Sequence, residues 1–179
     1  MSQIKVNSIV PVGGVPSGSN GGIIQVKQTF KTDHFSRSNT SYGDVTGMSV
    51  TITPSSNSNK ILIVCNLSTG STGNGYSGFR LLRGSTNVGQ STALDSANSG
   101  NTQDTAFCSM DEGSQGTYKL NTSSHFYLDS PATTSATTYK LQVITWSATT
   151  FHLNRPNSIG NAVYTMAGTS SITAYEVST

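Results

Sequence analysis

The three histidines are the residues best suited to bind a metal ion. His34, His125 and His152 are isolated from one another, with no second His or Cys at a ligand spacing. Asp33 precedes His34, but neighbours on a strand point to opposite faces, so the two would not share an ion. We therefore expect no metal and no cofactor. His125 and His152 each lie beside a phenylalanine, and we interpret both as strand-surface or interface histidines.

Serine hydroxyls could serve as nucleophiles, because the chain holds 29 Ser and 25 Thr among its 179 residues. A catalytic serine needs a base and a turn that exposes it, and no G-x-S-x-G elbow occurs. The segment TGSTGNGYSG (69–78) follows a strand pattern but opens no helix. It is interpreted as a loop at the rim of the fold, so no nucleophilic catalysis is predicted.

Carboxylates could form the acid–base pair of a glycosidase, which needs two carboxyl groups held ~5–10 Å apart. The candidates are Asp95, Asp104, Asp111, Glu112 and Asp129. Four of them lie in polar stretches that resemble loops and turns, and no spacing defines a pair. The chain is therefore not expected to be an enzyme.

The composition excludes several classes of protein. Charged residues make up 10% of the chain and the net charge is +2, whereas an ordinary globular protein is about one-quarter charged. No Lys/Arg cluster exists to neutralise phosphates, so nucleic-acid binding is not expected. No run of 18 apolar residues exists, and the first residues lack the pattern of a signal peptide, so neither membrane insertion nor secretion is expected. Cys65 and Cys108 have no metal spacing and are expected to be free thiols.

The elements that would position these residues are strands, because apolar residues recur with period two from Gly21 onward. We expect nine or ten strands linked by Gly/Ser/Asn turns, with 132–138 as the one plausible turn of helix. Their number and spacing predict an all-β fold, a two-sheet antiparallel β-sandwich of jelly-roll type. The predicted strands are GGIIQVKQTF (21–30), MSVTITP (48–54), KILIVCNLS (60–68), GFRLLRGST (78–86), NVGQS (87–91), AFCSM (106–110), SHFYLD (124–129), TYKLQVITW (138–146), FHLN (151–154) and SSITAYEV (170–177).

Two of these strands have informative faces. In GGIIQVKQTF, Ile24, Val26 and Phe30 fall on one face. KILIVCNLS is apolar on both faces, which predicts a central strand covered on both sides.

Residues 1–20 differ from the sandwich of residues 21–179, with a short apolar run followed by a Gly/Ser/Asn linker. The apolar run is too small to form a core and would be better buried against another chain. We therefore predict an N-terminal docking arm with contacts at Ile4, Val6, Ile9, Val10 and Val12.

The most polar and least periodic segments are 70–78 and 87–105, and loops carried on a rigid scaffold are common binding elements. An aromatic side chain at Tyr76 could stack on a sugar or cover the end of the fold. The candidate outer-loop contacts are Tyr76, Asp95, Asn98, Asn101 and Asp104.

Several segments together resemble small virion proteins of tailed phages of marine bacteria and cyanobacteria, which are labelled tail fibre or structural proteins. The resemblance spans about 21–177, with LDSPATTSATTYKLQ (128–142) its most specific block. The strand count and the last, aromatic-bearing strand also resemble trimeric jelly rolls of the tumour-necrosis-factor and C1q type. The other segments are GGIIQVKQTF, VTGMSVTITPSSNSNKILI, FRLLRGSTNVGQ and SSITAYEV.

This resemblance implies a virion structural protein assembled in the bacterial cytoplasm, a homotrimer that buries apolar residues along its three-fold axis. The arm would dock on other tail or capsid proteins. The favoured role is a tail fibre or receptor-binding tip that touches a host surface glycan or protein, and the alternative is a capsid decoration (cement) protein. A polysaccharide depolymerase or a lectin is less favoured. The Ser/Thr run after Asp129 would cross the end of the sandwich, with Asp129 capping the reversal and Pro131 ending the strand.

Overall fold

The computed structural model describes residues 22–72, 75–91, 104–111, 118–145, 149–161, 163 and 165–179. Within these ranges the chain forms eleven strands and no α-helix. None of the described segments is a helix of the length and apolarity that crossing a membrane requires. The strands are β1 (Ile23–Lys31), β2 (Phe35–Arg37), β3 (Gly43–Ile52), β4 (Lys60–Ser71), β5 (Gly75–Arg83), β6 (Thr86–Val88), β7 (Phe107–Asp111), β8 (Asn121–Asp129), β9 (Thr137–Thr145), β10 (Phe151–Leu153) and β11 (Ser170–Val177).

The strands build two antiparallel sheets. In sheet A, β11 lies between β1 and β4, β8 pairs with the other edge of β4, and the short strands β10 and β2 continue from the far end of β4. In sheet B the order is β3-β9-β5, and both β6 and β7 pair with β5. The chain changes sheet six times: between β2 and β3, β3 and β4, β4 and β5, β7 and β8, β8 and β9, and β9 and β10. The predicted two-sheet sandwich is confirmed.

The core lies between the sheets because alternate side chains of each strand point inward. Along β4, the expected central strand, Ile61, Ile63, Cys65 and Leu67 are buried. Phe79 of sheet B stacks on Phe107 at 4.7 Å and meets Phe151 of sheet A edge-on at 5.4 Å. Each fully buried side chain of this size contributes about 1.5–3 kcal/mol, so the interlocked faces hold the sheets together.

The connection from β8 to β9 was expected to cross the end of the sandwich, and it does, since it joins sheet A to sheet B. The turn of helix expected at 132–138 is wrong: the segment is irregular and Thr137 already begins β9. Ala132 adopts a left-handed φ of 51°, which a right-handed helix cannot include. Phe35–Arg37 is a strand that the sequence did not indicate, because three residues are too few to show a period.

Asp129 does more than cap the reversal. Its carboxylate is buried and accepts two hydrogen bonds from Arg83 Nη1, at 2.9 and 2.8 Å, and one from the Tyr139 hydroxyl at 2.6 Å. Asp129 belongs to sheet A, whereas Arg83 and Tyr139 belong to sheet B. The three side chains therefore join the two sheets where the chain crosses between them.

Candidate interaction surfaces

The outer face of sheet A is formed by the side chains that alternate with the core along four neighbouring strands. The pairing register aligns them in three rows across the sheet. Several large apolar members are well exposed: Phe126 by 64%, Phe30 by 59%, Val26 by 52% and Leu128 by 48%. The rows are Val26–Tyr175–Leu62–Leu128, Gln28–Thr173–Val64–Phe126 and Phe30–Ser171–Asn66–Ser124.

None of these twelve side chains is charged. Two pairs of polar members bond to each other along the face: Gln28 Nε2 donates to Thr173 Oγ1 at 2.9 Å, and Ser124 Oγ donates to Asn66 Oδ1 at 2.7 Å. The exposed Lys60 follows these rows at the end of β4, opposite Val177. The three rows are thus a neutral surface, bordered by one cation, in which apolar side chains dominate the exposed part.

The apolar face expected for the first strand lies on this surface and not in the core. Val26 and Phe30 point outward, because the opposite side of β1 packs against β3 through polar contacts. There Thr29 Oγ1 donates to the carbonyl of Ser49. Likewise β4 is central, as predicted, but its second apolar face is only half-buried in the single chain.

The outer face of sheet B has a different chemistry. The Lys140 ammonium lies 2.8 Å from the Asp44 carboxylate, and Gln142 Nε2 donates to the same carboxylate at 2.8 Å. These two hydrogen bonds lower the pKa of Asp44. The Arg80 guanidinium lies 3.6 Å from the centre of the Tyr42 ring. Charged and hydrogen-bonded side chains of this kind are typical of a sheet face in contact with water.

The predicted loop at 87–105 begins and ends on this same side of the molecule. The Ser91 amide donates to the Thr105 carbonyl at 3.0 Å, and the Thr105 amide donates to Ser91 Oγ at 3.2 Å, so the two ends meet. The Tyr42 hydroxyl donates to the Asp104 carbonyl at 3.0 Å. Gly78 makes room for this stem, because a Cβ there would lie 2.6 Å from the Thr105 methyl. Of the predicted contacts in this loop, Asp104 lies on the stem, whereas Asp95, Asn98 and Asn101 lie outside the described residues.

Tyr76 lies on a strand and not in a loop. β4 extends to Ser71 and β5 starts at Gly75, so most of the segment expected to be a rim loop (70–78) belongs to strands. Tyr76 alternates with the inward-facing Ser77, is 44% exposed and pairs with Met110 of β7. Its ring therefore projects from the outer face of sheet B, on the same side as the loop stem.

Both histidines expected at a surface are partly or fully enclosed, and that prediction is wrong. His125 points inward and stacks on Phe107 at 5.0 Å, while its neighbour Phe126 points outward. His152 is buried, and its Nδ1 lies 2.7 Å from Ser36 Oγ. Burial lowers the pKa of both imidazoles.

The described residues do not assemble the carboxylate or metal sites for which the sequence holds candidate residues. They contain no cluster of three His, Cys, Asp or Glu side chains that could hold a metal ion. Asp129 is occupied by Arg83 and Tyr139. Cys65 and Cys108 are free: burial raises the pKa of the Cys65 thiol to about 12, and Cys108 is exposed. The arm residues and the acids Asp95 and Glu112 lie outside the described ranges.

Glu176 is a buried carboxylate that organises the turn between β3 and β4. Its Oε1 accepts hydrogen bonds from the Ser55 amide at 2.6 Å, from Ser55 Oγ at 2.7 Å and from Asn59 Nδ2 at 2.7 Å. Nothing in the local sequence indicated this role, since Ser55 and Glu176 are 121 residues apart.

The free energy of unfolding should therefore depend on Glu176 at acid pH. Burial raises the pKa of this carboxyl, but the hydrogen bonds from Asn59 and Ser55 outweigh burial and leave the pKa lowered. A lowered folded-state pKa contributes stability above the unfolded-state pKa of about 4.3, and this is lost as the pH falls through the folded-state value. In urea titrations between pH 7 and pH 3, Glu176→Gln should be less stable at pH 7 and lose less on acidification. Parallel pH profiles would contradict this.

Comparison with known proteins identifies no family. No protein-family model matches the chain, and no curated protein matches it. A chain from the structure of infectious bursal disease virus Gx strain is similar in fold, with a TM-score of 0.45 and 15% sequence identity. The match covers 97% of this chain and 42% of the viral chain, so the present chain spans less than half of that length. A likeness of this size assigns no function, and the resemblance to phage virion proteins stays a prediction.

Proposed function

We propose that the chain is a structural protein of a bacteriophage virion, a trimer docked by residues 1–20 to other tail or capsid proteins. Its favoured role is a tail fibre tip that contacts the host receptor. The resemblance of residues 21–177 to phage virion proteins supports this assignment. The described residues are consistent with it, since they form a two-sheet sandwich.

One observation carries the proposal: the two outer faces of the sandwich differ in chemistry. The outer face of sheet A is neutral and partly apolar, whereas that of sheet B is charged and bears both Tyr76 and the stem at Ser91 and Thr105. With sheet A turned toward other virion chains, sheet B and its loop face the host. A loop on a rigid sheet and an exposed aromatic ring suit contact with a surface glycan or protein.

Capsid decoration is the second candidate, because a chain without a shaft repeat suits either a compact knob held by its arm or a trimer on the capsid. No heptad pattern and no Gly-X-Y period occurs. The arm would then lie across neighbouring capsid subunits. The copy number on purified particles separates the two roles: a few dozen copies or fewer indicate the tail, and hundreds indicate the head.

A chain that lacks residues 1–20 should fold and assemble as the full chain does, but it should not join the virion. The physical reason is that the described strands already build two sheets with a shared core between them, so we expect only docking to be lost. The measurement is mass spectrometry of particles from a phage that carries the truncated gene, with the full-length gene as control. Incorporation of the truncated chain at the normal copy number would refute the docking role of the arm.

A further inference from the structure

We propose that the outer face of sheet A is the surface through which copies of this chain assemble with each other. The inference rests on the proposed trimer and adds the contact surface, which the sequence alone did not locate. The face is partly exposed, its three rows are uncharged, and some of its polar groups are already hydrogen-bonded to each other.

Exposure is the first step. Phe30 and Phe126 are 59% and 64% exposed on one sheet face, and at ~200 Å² per aromatic side chain they leave roughly 250 Å² of apolar surface in water. Val26 lies near Phe30 on β1, and Leu128 lies near Phe126 on β8, beside the half-buried Leu62 of β4. The apolar side chains thus form two exposed edges, and β11 lies between them. Large contiguous apolar patches on a soluble chain mark interaction sites, whereas single exposed apolar residues do not.

Charge decides the kind of partner. None of the twelve side chains of the face carries a charge, so a second copy can approach without like-charge repulsion and without desolvating an ion. A nucleic acid or an acidic protein would find one cation, Lys60, at the end of the face and none within the three rows. The face of sheet B, with Asp44, Lys140 and Arg80, lacks this property.

Hydrogen bonding removes the usual obstacle to burying polar groups. Gln28 is bonded to Thr173, and Ser124 to Asn66, within the face of a single chain. A buried polar group is costly only when it is left without a partner. These four side chains can therefore enter an interface and keep the bonds they already have.

The extent of the face suits a stable contact. Four strands ~4.8 Å apart, with about nine residues rising ~3.3 Å each, project to roughly 600 Å². Roughly 600 Å² on each partner is the lower limit of a standard interface, which buries about 1,200–2,000 Å² in total. Ser171 and Thr173 add little to this area because they are already buried in the single chain.

The test is the mass of the purified full-length chain in sedimentation velocity at micromolar concentrations. The wild type should sediment as three chains. A Phe30→Thr/Phe126→Thr variant should sediment as one chain with an unchanged far-ultraviolet circular dichroism spectrum. Threonine is chosen because it is β-branched and favours strands. The matched control is Tyr76→Thr, which removes an exposed aromatic ring from the outer face of sheet B and should stay trimeric.

A second variant tests the face if the double variant fails to fold. Gln28 is exposed in the single chain, so Gln28→Lys should fold, yet it places a cation in the contact. Association should weaken about tenfold or more. An unchanged association constant would overturn the proposal.

The remaining outcomes are distinct. A wild type that sediments as one chain overturns both the trimer and this face. If such a monomer exposed the face to an apolar dye only after residues 1–20 were deleted, the occupant would be the arm. A Phe30→Thr/Phe126→Thr variant that stays trimeric overturns the face alone. A trimer that never joins phage particles refutes the proposed virion function and leaves the assembly surface standing.

Discussion

Asn154→Ala is expected to lower the free energy of unfolding by about 4 kcal/mol, a large part of the roughly 5–15 kcal/mol of a typical domain. Asn154 is fully buried directly after β10. Its Nδ2 donates to the carbonyls of Lys31 and Asp33 at 2.9 and 3.0 Å, and its Oδ1 accepts from Ser170 Oγ at 2.6 Å. Alanine would remove all three bonds, and Ser170 Oγ would keep only the one that it accepts from the Ser68 amide at 3.0 Å.

The backbone at Asn154 adds a second cost. Its φ of 65° lies in the left-handed region, which asparagine tolerates better than alanine does. Asn154→Gly is the matched control, since it loses the same hydrogen bonds but adopts this φ freely. In urea titrations followed by circular dichroism, the glycine variant should be about 1 kcal/mol more stable than the alanine variant. Equal stabilities would exclude backbone strain, and a loss below about 1 kcal/mol for alanine would contradict the hydrogen-bond account.

Asp129→Ala is expected to cost about 3 kcal/mol, at the lower end of the range for breaking a buried ion pair. The lower end applies because the Arg83 side chain is 30% exposed and water can partly solvate it, whereas the Asp129 side chain is 5% exposed. The substitution also leaves the buried Tyr139 hydroxyl without its acceptor. Because the three residues join the sheets, the loss should appear as lower stability of the whole sandwich.

Two further variants separate the contributions at this junction. Asp129→Asn keeps the shape and one acceptor oxygen, so it should cost less than alanine. Tyr139→Phe removes one hydrogen bond and should cost about 1 kcal/mol. The Asp129→Ala/Tyr139→Phe double variant should lose less than the sum of the single losses, because both changes break the same bond. Strict additivity would show that the tyrosine and the carboxylate do not act together.

The strands and most of the core were predictable because alternation reports which side chains share a face. Ile61, Ile63, Cys65 and Leu67 were placed together by period two, and they form one buried row. The change of sheet after Asp129 was also expected. Such features depend on residues close together in sequence, where the period of a strand is sufficient.

Alternation does not report which face looks at the core. In β8, Phe126 points outward although it is more apolar than His125, which points inward. The reason is that the register with β4 places His125 opposite the inward-facing Cys65. For the same reason, the sequence did not show that Val26 and Phe30 lie on the outer side of β1. An apolar strand face can be buried in the core of its own chain or against another chain, and the sequence pattern is the same in both cases.

The buried polar residues were not predictable for a different reason. Asn154 and the Lys31 carbonyl that it binds are 123 residues apart, and Arg83 and Asp129 are 46 apart. These hydrogen bonds form only when the sheets bring distant residues together, so no local sequence pattern predicts them. The loop stem at Ser91 and Thr105 likewise depends on Tyr42 and Gly78 from other parts of the chain.

Cryo-electron microscopy of the assembled phage particle tests the proposed assembly and role most directly. The expected map shows three copies of this chain around an axis, with Phe126 and Leu128 packed against neighbouring copies. Residues 1–20 should contact another virion protein, and sheet B with Tyr76 should face outward. A particle that lacks the chain, or one in which the outer face of sheet A is open to solvent, would contradict this account.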